Sequence, residues 1–430
     1  MRKKFALADG NNFYVSCERC FNPKLENKPV VVLSNNDACI VARSNEAKIG
    51  LGIGMGVPYF QVRHFEKSDG LIALSSNYAL YADMSQRFMT LLGSYAPYQE
   101  VYSIDESFLD FTGLPGDLTV YGAGIKARTQ QWLGLPICVG IGYSKTQSKL
   151  ANHIAKKNIG KVWSGVCDLT SVNDIALSML MARIDVGEVW GVGRRIAASL
   201  NSCGIKSVLD LARADAPTIR LRFSVMLERT IRELNGISCI SMEHAPAARQ
   251  QIVSSRSFGA AVTDIEGLMR AVSVFCTRAG ERLRGQDLVA GRLQVFIQTS
   301  PFRKEDKQYS NAIVLPFSTP TSDTRELIMA AHVGLRRIFR AEFNYAKAGI
   351  MLFDLQAPTG VQLGLSFDER DSDKARKVMA TLDALNDRFG KGTLVVGAAL
   401  PTKAKQTWTM QQNKRTPEFT TNWAQLPVIR

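Results

Sequence analysis

No stretch of this sequence comes near the roughly 20 consecutive apolar residues that a membrane-crossing helix needs. The first four residues, Met1-Arg2-Lys3-Lys4, are largely charged, and Asp9 and Asn11 break the apolar stretch behind them. That pattern makes a poor secretion signal. A cytoplasmic protein with no membrane contact is therefore expected. The eight cysteines, at 17, 20, 39, 138, 167, 203, 239 and 276, follow no disulfide spacing. Cys17 and Cys20 form a CxxC, but a structural zinc site would need a second such pair or histidines nearby, and neither is there. Reduced thiols are the expectation. Internal repeats and low-complexity blocks are also lacking.

What the sequence has in surplus is positive charge. Lysine and arginine number 53 against 39 acids, a formal net charge of +14 over 430 residues. Such an excess suggests a polyanionic partner, nucleic acid or an anionic membrane, and without a membrane signal nucleic acid gains ground; the plainer alternative is a basic surface that serves solubility. Hydrophobic content of 46% and charged content of 21% are those of a globular chain. The length exceeds one ordinary core, so several domains are expected.

Short β-branched runs predict strands at 5–9, 29–34, 71–75, 98–104, 107–111 and 136–142. Helical spacing predicts helices near 77–93, 118–133 and 145–157, with a short one from Asn45 to Lys48 that the glycines at 50–56 cut off. This alternation predicts a multidomain α/β and α+β fold, with a split-βαβ layer first. From 170 to 240 the pattern turns helical. Strands at 251–259, 289–299 and 347–355 and helices at 265–284 and 323–343 follow. The last 75 residues read as less regular.

The strongest chemical signal is acidic. Asp9 ends the first predicted strand, and Asp105 and Glu106 lie between two others. Phosphoryl transfer uses two hard cations roughly 4 Å apart, bridged by carboxylates. Neighbouring strand residues point to opposite faces, so Asp105 and Glu106 can share one site only where the alternation breaks, as at a hairpin tip. Acids at strand ends are also commonly just solvated, and spacing alone does not decide between the two. The residues themselves leave open a polymerase, a two-metal nuclease or a non-catalytic DNA-binding scaffold.

Ordered motifs narrow this. Asp9-Gly10-Asn11-Asn12-Phe13-Tyr14-Val15-Ser16-Cys17-Glu18 and Tyr102-Ser103-Ile104-Asp105-Glu106 resemble the two metal motifs of the Y-family translesion DNA polymerases. The likeness continues through Asn35-Asn36-Asp37, Glu46-Ala47-Lys48, Ser75-Ser76-Asn77-Tyr78, Leu150-Ala151-Asn152-His153, Trp190-Gly191-Val192-Gly193-Arg194-Arg195 and Ser300-Pro301-Phe302. It is close to the UmuC-type catalytic subunits of bacterial DNA polymerase V and covers essentially the whole chain.

The resemblance implies a right-hand polymerase. Its palm would be 1–12 and 75–165, its fingers 13–74, its helix-hairpin-helix thumb 166–240 and its little finger 248–355. A UmuC-type C-terminal region would follow at 356–430. Asp9, Asp105, Glu106 and the carbonyl of Gly10 would hold two Mg2+ ions. Tyr14 would be the steric gate whose ring excludes a ribose 2′-hydroxyl. Lys48 and Lys156 would meet the triphosphate of the incoming dNTP, with Asn45, where many relatives carry tyrosine, and Val41 nearby. Gly191, Gly193 and Arg194 would bind primer-template DNA through backbone N–H groups and charge, and Arg256 would contact it from the little finger. Gln362, Leu363, Leu365 and Phe367 resemble the hexapeptide that docks bacterial polymerases on the sliding clamp. A UmuD-type dimer and a recombinase filament are the partners the resemblance suggests, and error-prone synthesis in SOS-type damage tolerance is the activity.

Overall fold

The computed structural model describes residues 2–243, 249–358, 372–399 and 412–426. It divides into two compact units, Met1–Pro246 with Gln412–Arg430, and Ala247–Gln411. The first unit therefore receives the chain twice, before and after the second.

The first unit opens with β1 (Phe5–Gly10), α1 (Phe13–Phe21), β2 (Val30–Leu33), β3 (Ile40–Arg43), the short helices α2 (Tyr59–Val62) and α3 (Phe65–Ser68), β4 (Ile72–Ser75) and α4 (Tyr78–Gly93). A π-helical turn, Glu46–Gly50, follows β3. Then come β5 (Gln99–Val101), β6 (Glu106–Asp110), α5 (Leu118–Leu133), β7 (Ile137–Gly142), α6 (Lys145–Lys157) and β8 (Val166–Asp168). The main sheet has the order β5-β6-β1-β7-β8, and a small one has the order β3-β2-β4. β1 is central, antiparallel to both β6 and β7. It is buried throughout because helices cover both faces, which is why it reads as an almost unbroken apolar run. Ala6 and Ala8 face α1, α4 and α5 in one core, with Phe13, Tyr81, Phe88 and Ile125.

The other face carries α6, and the fit there is tight. A Cβ on Gly140 would lie 2.1 Å from the backbone nitrogen of Asn152, and one on Gly142 would lie 2.6 Å from the Gln147 Cβ. Glycine is needed at both places because α6 rests directly on the β7 backbone. Ser148 Oγ donates to the carbonyl of Phe5 (2.8 Å) and Asn152 Nδ2 to that of Cys138 (3.0 Å), locking the helix in register.

Five helices complete this part: α7 (Asp174–Ala182), α8 (Arg194–Ser202), α9 (Val208–Arg213), α10 (Ala216–Arg222) and α11 (Val225–Leu234). They share a core with the α6 residues Leu150, Ala151 and Ile154.

The second unit contains β9 (Ile252–Val262), α12 (Ile265–Arg284), β10 (Val289–Thr299), β11 (Ser310–Thr321), α13 (Thr324–Ile338), β12 (Tyr345–Gln356) and α14 (Ser372–Phe389). Its antiparallel sheet has the order β11-β10-β12-β9. α12 and α13 pack on one face over Leu293, Val295, Ile297, Ile350 and Leu352. Two elements here go beyond the sequence reading: the whole of β11, and α14 in the region read as less regular.

All eight cysteines are free, and Cys17, Cys138, Cys167 and Cys276 are buried. Among the described residues, no helix is long and apolar enough to cross a membrane.

Candidate active site

Strand pairing brings the three acids together. Asp9 and Glu106 are directly opposed in the β1–β6 register. Asp105 sits one residue earlier, in the turn before β6, and its carbonyl accepts the Gly10 N–H at 2.8 Å. Ser103 shapes that turn. Its hydroxyl donates to Asp105 Oδ1 at 2.6 Å and accepts the backbone N–H of Glu106 at 3.1 Å. Because Asp105 precedes the ladder while Glu106 begins it, strand alternation does not force the two apart.

Asp9 is 8% exposed. Burial pushes its carboxyl up to about 6, and the charges of Glu106 and Asp105 add to the rise. Lys156 opposes it, with its ammonium 2.7 Å from Asp9 Oδ1. Lys149 pairs in the same way with Glu106, at 2.9 Å. Both lysines come from α6, together with Lys145, which pairs with Glu100 in a buried ion pair. Positions 145, 149, 153 and 156 share one helical face, so a single stripe of α6 supplies positive charge along the acidic edge.

The donor set is three carboxylates and a backbone carbonyl, all hard oxygens, at one end of the central strands. That chemistry fits magnesium. Among the described residues no three of these side chains are gathered closely enough to form a ready-made metal cage. Lys156, Lys149 and Ser103 each hold one acid instead. The structure therefore brings the three acids' backbone positions together and leaves their side chains engaged with lysine and serine.

The aromatic residue expected as a gate begins the helix beside this site. Tyr14 is half-buried and stacks on Tyr81 of α4, with centroids 4.4 Å apart and planes 14° apart. Tyr78 meets it edge-on at 6.0 Å. Asp105 is close enough that its charge, behind burial and Tyr78, raises the Tyr14 phenol.

Further cations lie close to Lys156. Lys48, exposed on the π-helical turn, has its ammonium held below the ordinary lysine value by partial desolvation and by Lys157, Arg43 and Lys156. Asn45 Oδ1 accepts from Asn12 Nδ2 at 3.4 Å. Val41 lies on β3 and packs against the core under the main sheet. Sequence reasoning misses Lys149, Lys157 and Arg43. The period of α6 is the available signal for Lys149; nothing local points to the other two.

Farther along, Gly191 has φ +88, a left-handed conformation that glycine adopts without strain, and Gly193 is the N-cap of α8. Both are open to solvent, as is Arg194. Trp190 just before them donates to the Tyr102 hydroxyl at 3.2 Å. In the second unit, Arg256 lies on β9 opposite Ala348, and burial and Arg278 lower its guanidinium. Gln362, Leu363, Leu365 and Phe367 lie outside the described residues.

Comparison with known proteins follows the same outline. Residues 8–153 match the impB/mucB/samB family, residues 249–365 match that family's C-terminal domain, and residues 376–429 match a domain of unknown function. The chain is 45% identical to protein ImpB of Salmonella typhimurium over 99% of each chain. It is 44% identical to protein UmuC of Salmonella typhimurium strain LT2, over 99% of this chain and all of the other. A more distant likeness, 27% identical over 94% of this chain and 95% of the other, is to DNA polymerase IV 1 of Bacillus subtilis. In fold it resembles a Y-family DNA polymerase chimera of Dbh and Dpo4, with a TM-score of 0.65 at 19% identity, covering 82% of this chain and 99% of that one. The chain belongs to the impB/mucB/samB family, with ImpB and UmuC among its relatives, and it shares its fold with a Y-family DNA polymerase.

Proposed function

We propose that this chain extends a DNA primer opposite damaged template, adding deoxynucleotides with low fidelity in SOS-type damage tolerance. One observation carries the site assignment: Asp9 and Glu106 face each other across two central strands, with Asp105 hydrogen-bonded to the next residue, Gly10.

Asp9, Asp105, Glu106 and the Gly10 carbonyl would hold two magnesium ions. Bound there, magnesium supplies the charge that acidifies the primer hydroxyl and stabilises the departing pyrophosphate. The protein's own groups do the rest. Lys156 and Lys48 bind the triphosphate, and Lys156 exchanges its bond to Asp9 for one to phosphate. Asn45 lies near the same phosphates, and Val41 near the new base pair. Tyr14 meets the sugar face-on and excludes a 2′-hydroxyl by contact.

Gly191, Gly193 and Arg194 bind a duplex phosphate at the start of α8, which carries no sequence information. Arg256 serves the same end from the second unit. Likeness to DNA polymerase IV 1, and to a Dbh DNA polymerase solved as an insertion ternary complex, supports DNA and dNTP as substrates. Gln362, Leu363, Leu365 and Phe367 would dock on the sliding clamp. A UmuD-type dimer and a recombinase filament are the partners that the UmuC likeness suggests, and the cytoplasm is where such an enzyme works. The domain division that we propose is palm 1–12 and 75–165, fingers 13–74, thumb 166–240, little finger 248–355 and C-terminal region 356–430.

Primer extension with magnesium tests the centre of this reading. Asp105→Ala should abolish incorporation while DNA binding persists. Undiminished extension by that variant would remove the acids from the chemistry.

A further inference from the structure

The chain returns to its first unit after residue 411, and it does so beside the α1–α4 pair that carries Tyr14. Lys414 exchanges bonds with Ser75: its N–H donates to Ser75 Oγ and its carbonyl accepts the Ser75 N–H, both at 3.0 Å. Asn77 is fully buried and has two roles at once. Its Oδ1 caps α4 through the Leu80 N–H, and its amide nitrogen donates to the carbonyls of Thr416 (3.2 Å) and Pro417 (3.0 Å). Phe419 stacks on Phe21 of α1, with centroids 4.9 Å apart and planes 7° apart.

The most unusual group in this contact is Glu18. It is 1% exposed and has no cationic partner among the described residues. Its Oε1 accepts two hydroxyls, from Tyr81 at 2.7 Å and from Thr416 at 3.2 Å, while Oε2 has no hydrogen-bond partner. A buried carboxyl so sparsely satisfied depends heavily on the donors it has. One of the two, Tyr81, is the ring on which Tyr14 stacks. Glu18 and Tyr14 are also one turn apart on the same helix. A continuous line of contacts thus runs from Thr416 through Glu18 and Tyr81 to Tyr14.

We infer that the C-terminal segment 412–419 braces the sugar gate. Thr416, acting through Glu18 and Tyr81, fixes the position of the Tyr14 ring and so sets how strictly ribonucleotides are excluded. Thr416 and Tyr81 are positioning residues in this scheme; neither touches the nucleotide. The physical requirement is stiffness. A gate that works by contact must not yield by the few tenths of an ångström that would admit one more oxygen, and a ring is only as stiff as what supports it. The inference rests on Tyr14 being the gate.

The test is single-nucleotide insertion by the full-length chain, comparing kcat/KM for a deoxynucleotide and for the matching ribonucleotide. Tyr14→Ala establishes the gate: it should relax discrimination strongly. Thr416→Val keeps the shape and removes the hydroxyl. It should lower discrimination by about threefold to tenfold while deoxynucleotide insertion stays near normal. Tyr81→Phe should act in the same direction, and Thr416→Ser, which restores the donor, should match the unaltered protein. If Tyr14→Ala relaxes discrimination while Thr416→Val and Tyr81→Phe do not, the brace is refuted and the gate stands. Equal losses with both nucleotides in Thr416→Val also refute it, because Thr416 would then support the fold and not the gate. Unchanged discrimination in Tyr14→Ala refutes the gate, and the brace with it.

Discussion

Burial raises the Asp9 carboxyl from 3.8 to about 6, so between those values the folded chain holds a proton that the unfolded chain has lost. The sign of the consequence follows. Below pH 4 the side chain is neutral in both states and has no effect on the balance. As pH climbs through 6 it must ionise inside the fold, and stability without metal falls. Asp9→Asn should therefore raise metal-free stability at pH 7.5, by about 1–2 kcal/mol after allowing for the lost Lys156 bond. The gain should fade toward pH 4. Urea titrations at the two pH values measure this, and a destabilised variant at pH 7.5 would contradict it. Magnesium should raise the melting temperature of the unaltered protein and leave that of Asp9→Asn unmoved, since the ion relieves the same charge. The acids stood out in the sequence as candidates because each sits at a strand boundary, and the motif resemblance gave them a role that spacing alone does not. Which lysine holds which acid could not be read there, because pairing Lys149 with Glu106 and Lys156 with Asp9 requires knowing that α6 lies across β1.

At the scale of elements, α6 matters most, because one helix aims three lysines at the acidic edge and rests on bare β7 backbone. Gly140→Ala would place a methyl group against the Asn152 nitrogen with nowhere to go. We expect a loss of about 2–4 kcal/mol in denaturant unfolding, with weaker dNTP binding as Lys149 and Lys156 shift together. Lys145→Met should cost about 3–5 kcal/mol, because Glu100 would remain buried without its cation. α5, α6 and α12 were legible to within a residue because their ends are signposted. Asp117, Ser144 and Asp264 accept N-terminal backbone N–H groups, and Gly134 ends α5 at φ +68. β11 lies outside the sequence reading; it carries Pro316 and Pro320, which weaken a strand signal, and it holds them because it is an edge strand. α14 was missed because its inward stripe is narrow, with Met379, Leu382 and Asn386 as its buried positions among the described side chains.

At the scale of the whole molecule, the surplus of +14 makes DNA binding an ion-release process. Affinity should fall steeply with salt and barely depend on sequence. Arg194→Ala should weaken binding to all duplexes alike and reduce the logarithmic salt slope by about 1. A sequence-selective loss, or an unchanged slope, would move Arg194 away from the phosphates. The passage from alternating strands and helices to a helical stretch and back to a mixed one was visible in the periodicity. The return of the last segment was not, because its contacts join residues as far apart in the chain as Glu18 and Thr416, and no local pattern marks them.

That separation has a consequence for biosynthesis. Thr416 follows Glu18 by 398 residues, so at usual translation speeds the partner of a helix made at the outset emerges roughly 20–80 s later. The carboxylates and Tyr14 are complete long before the last support for the tyrosine exists. A message truncated past the second unit, or a protease that clips the tail, would leave the chemistry in place and remove its restraint. If segment 412–419 braces Tyr14 as inferred above, such a product would be an enzyme that still copies DNA but writes RNA into it more freely.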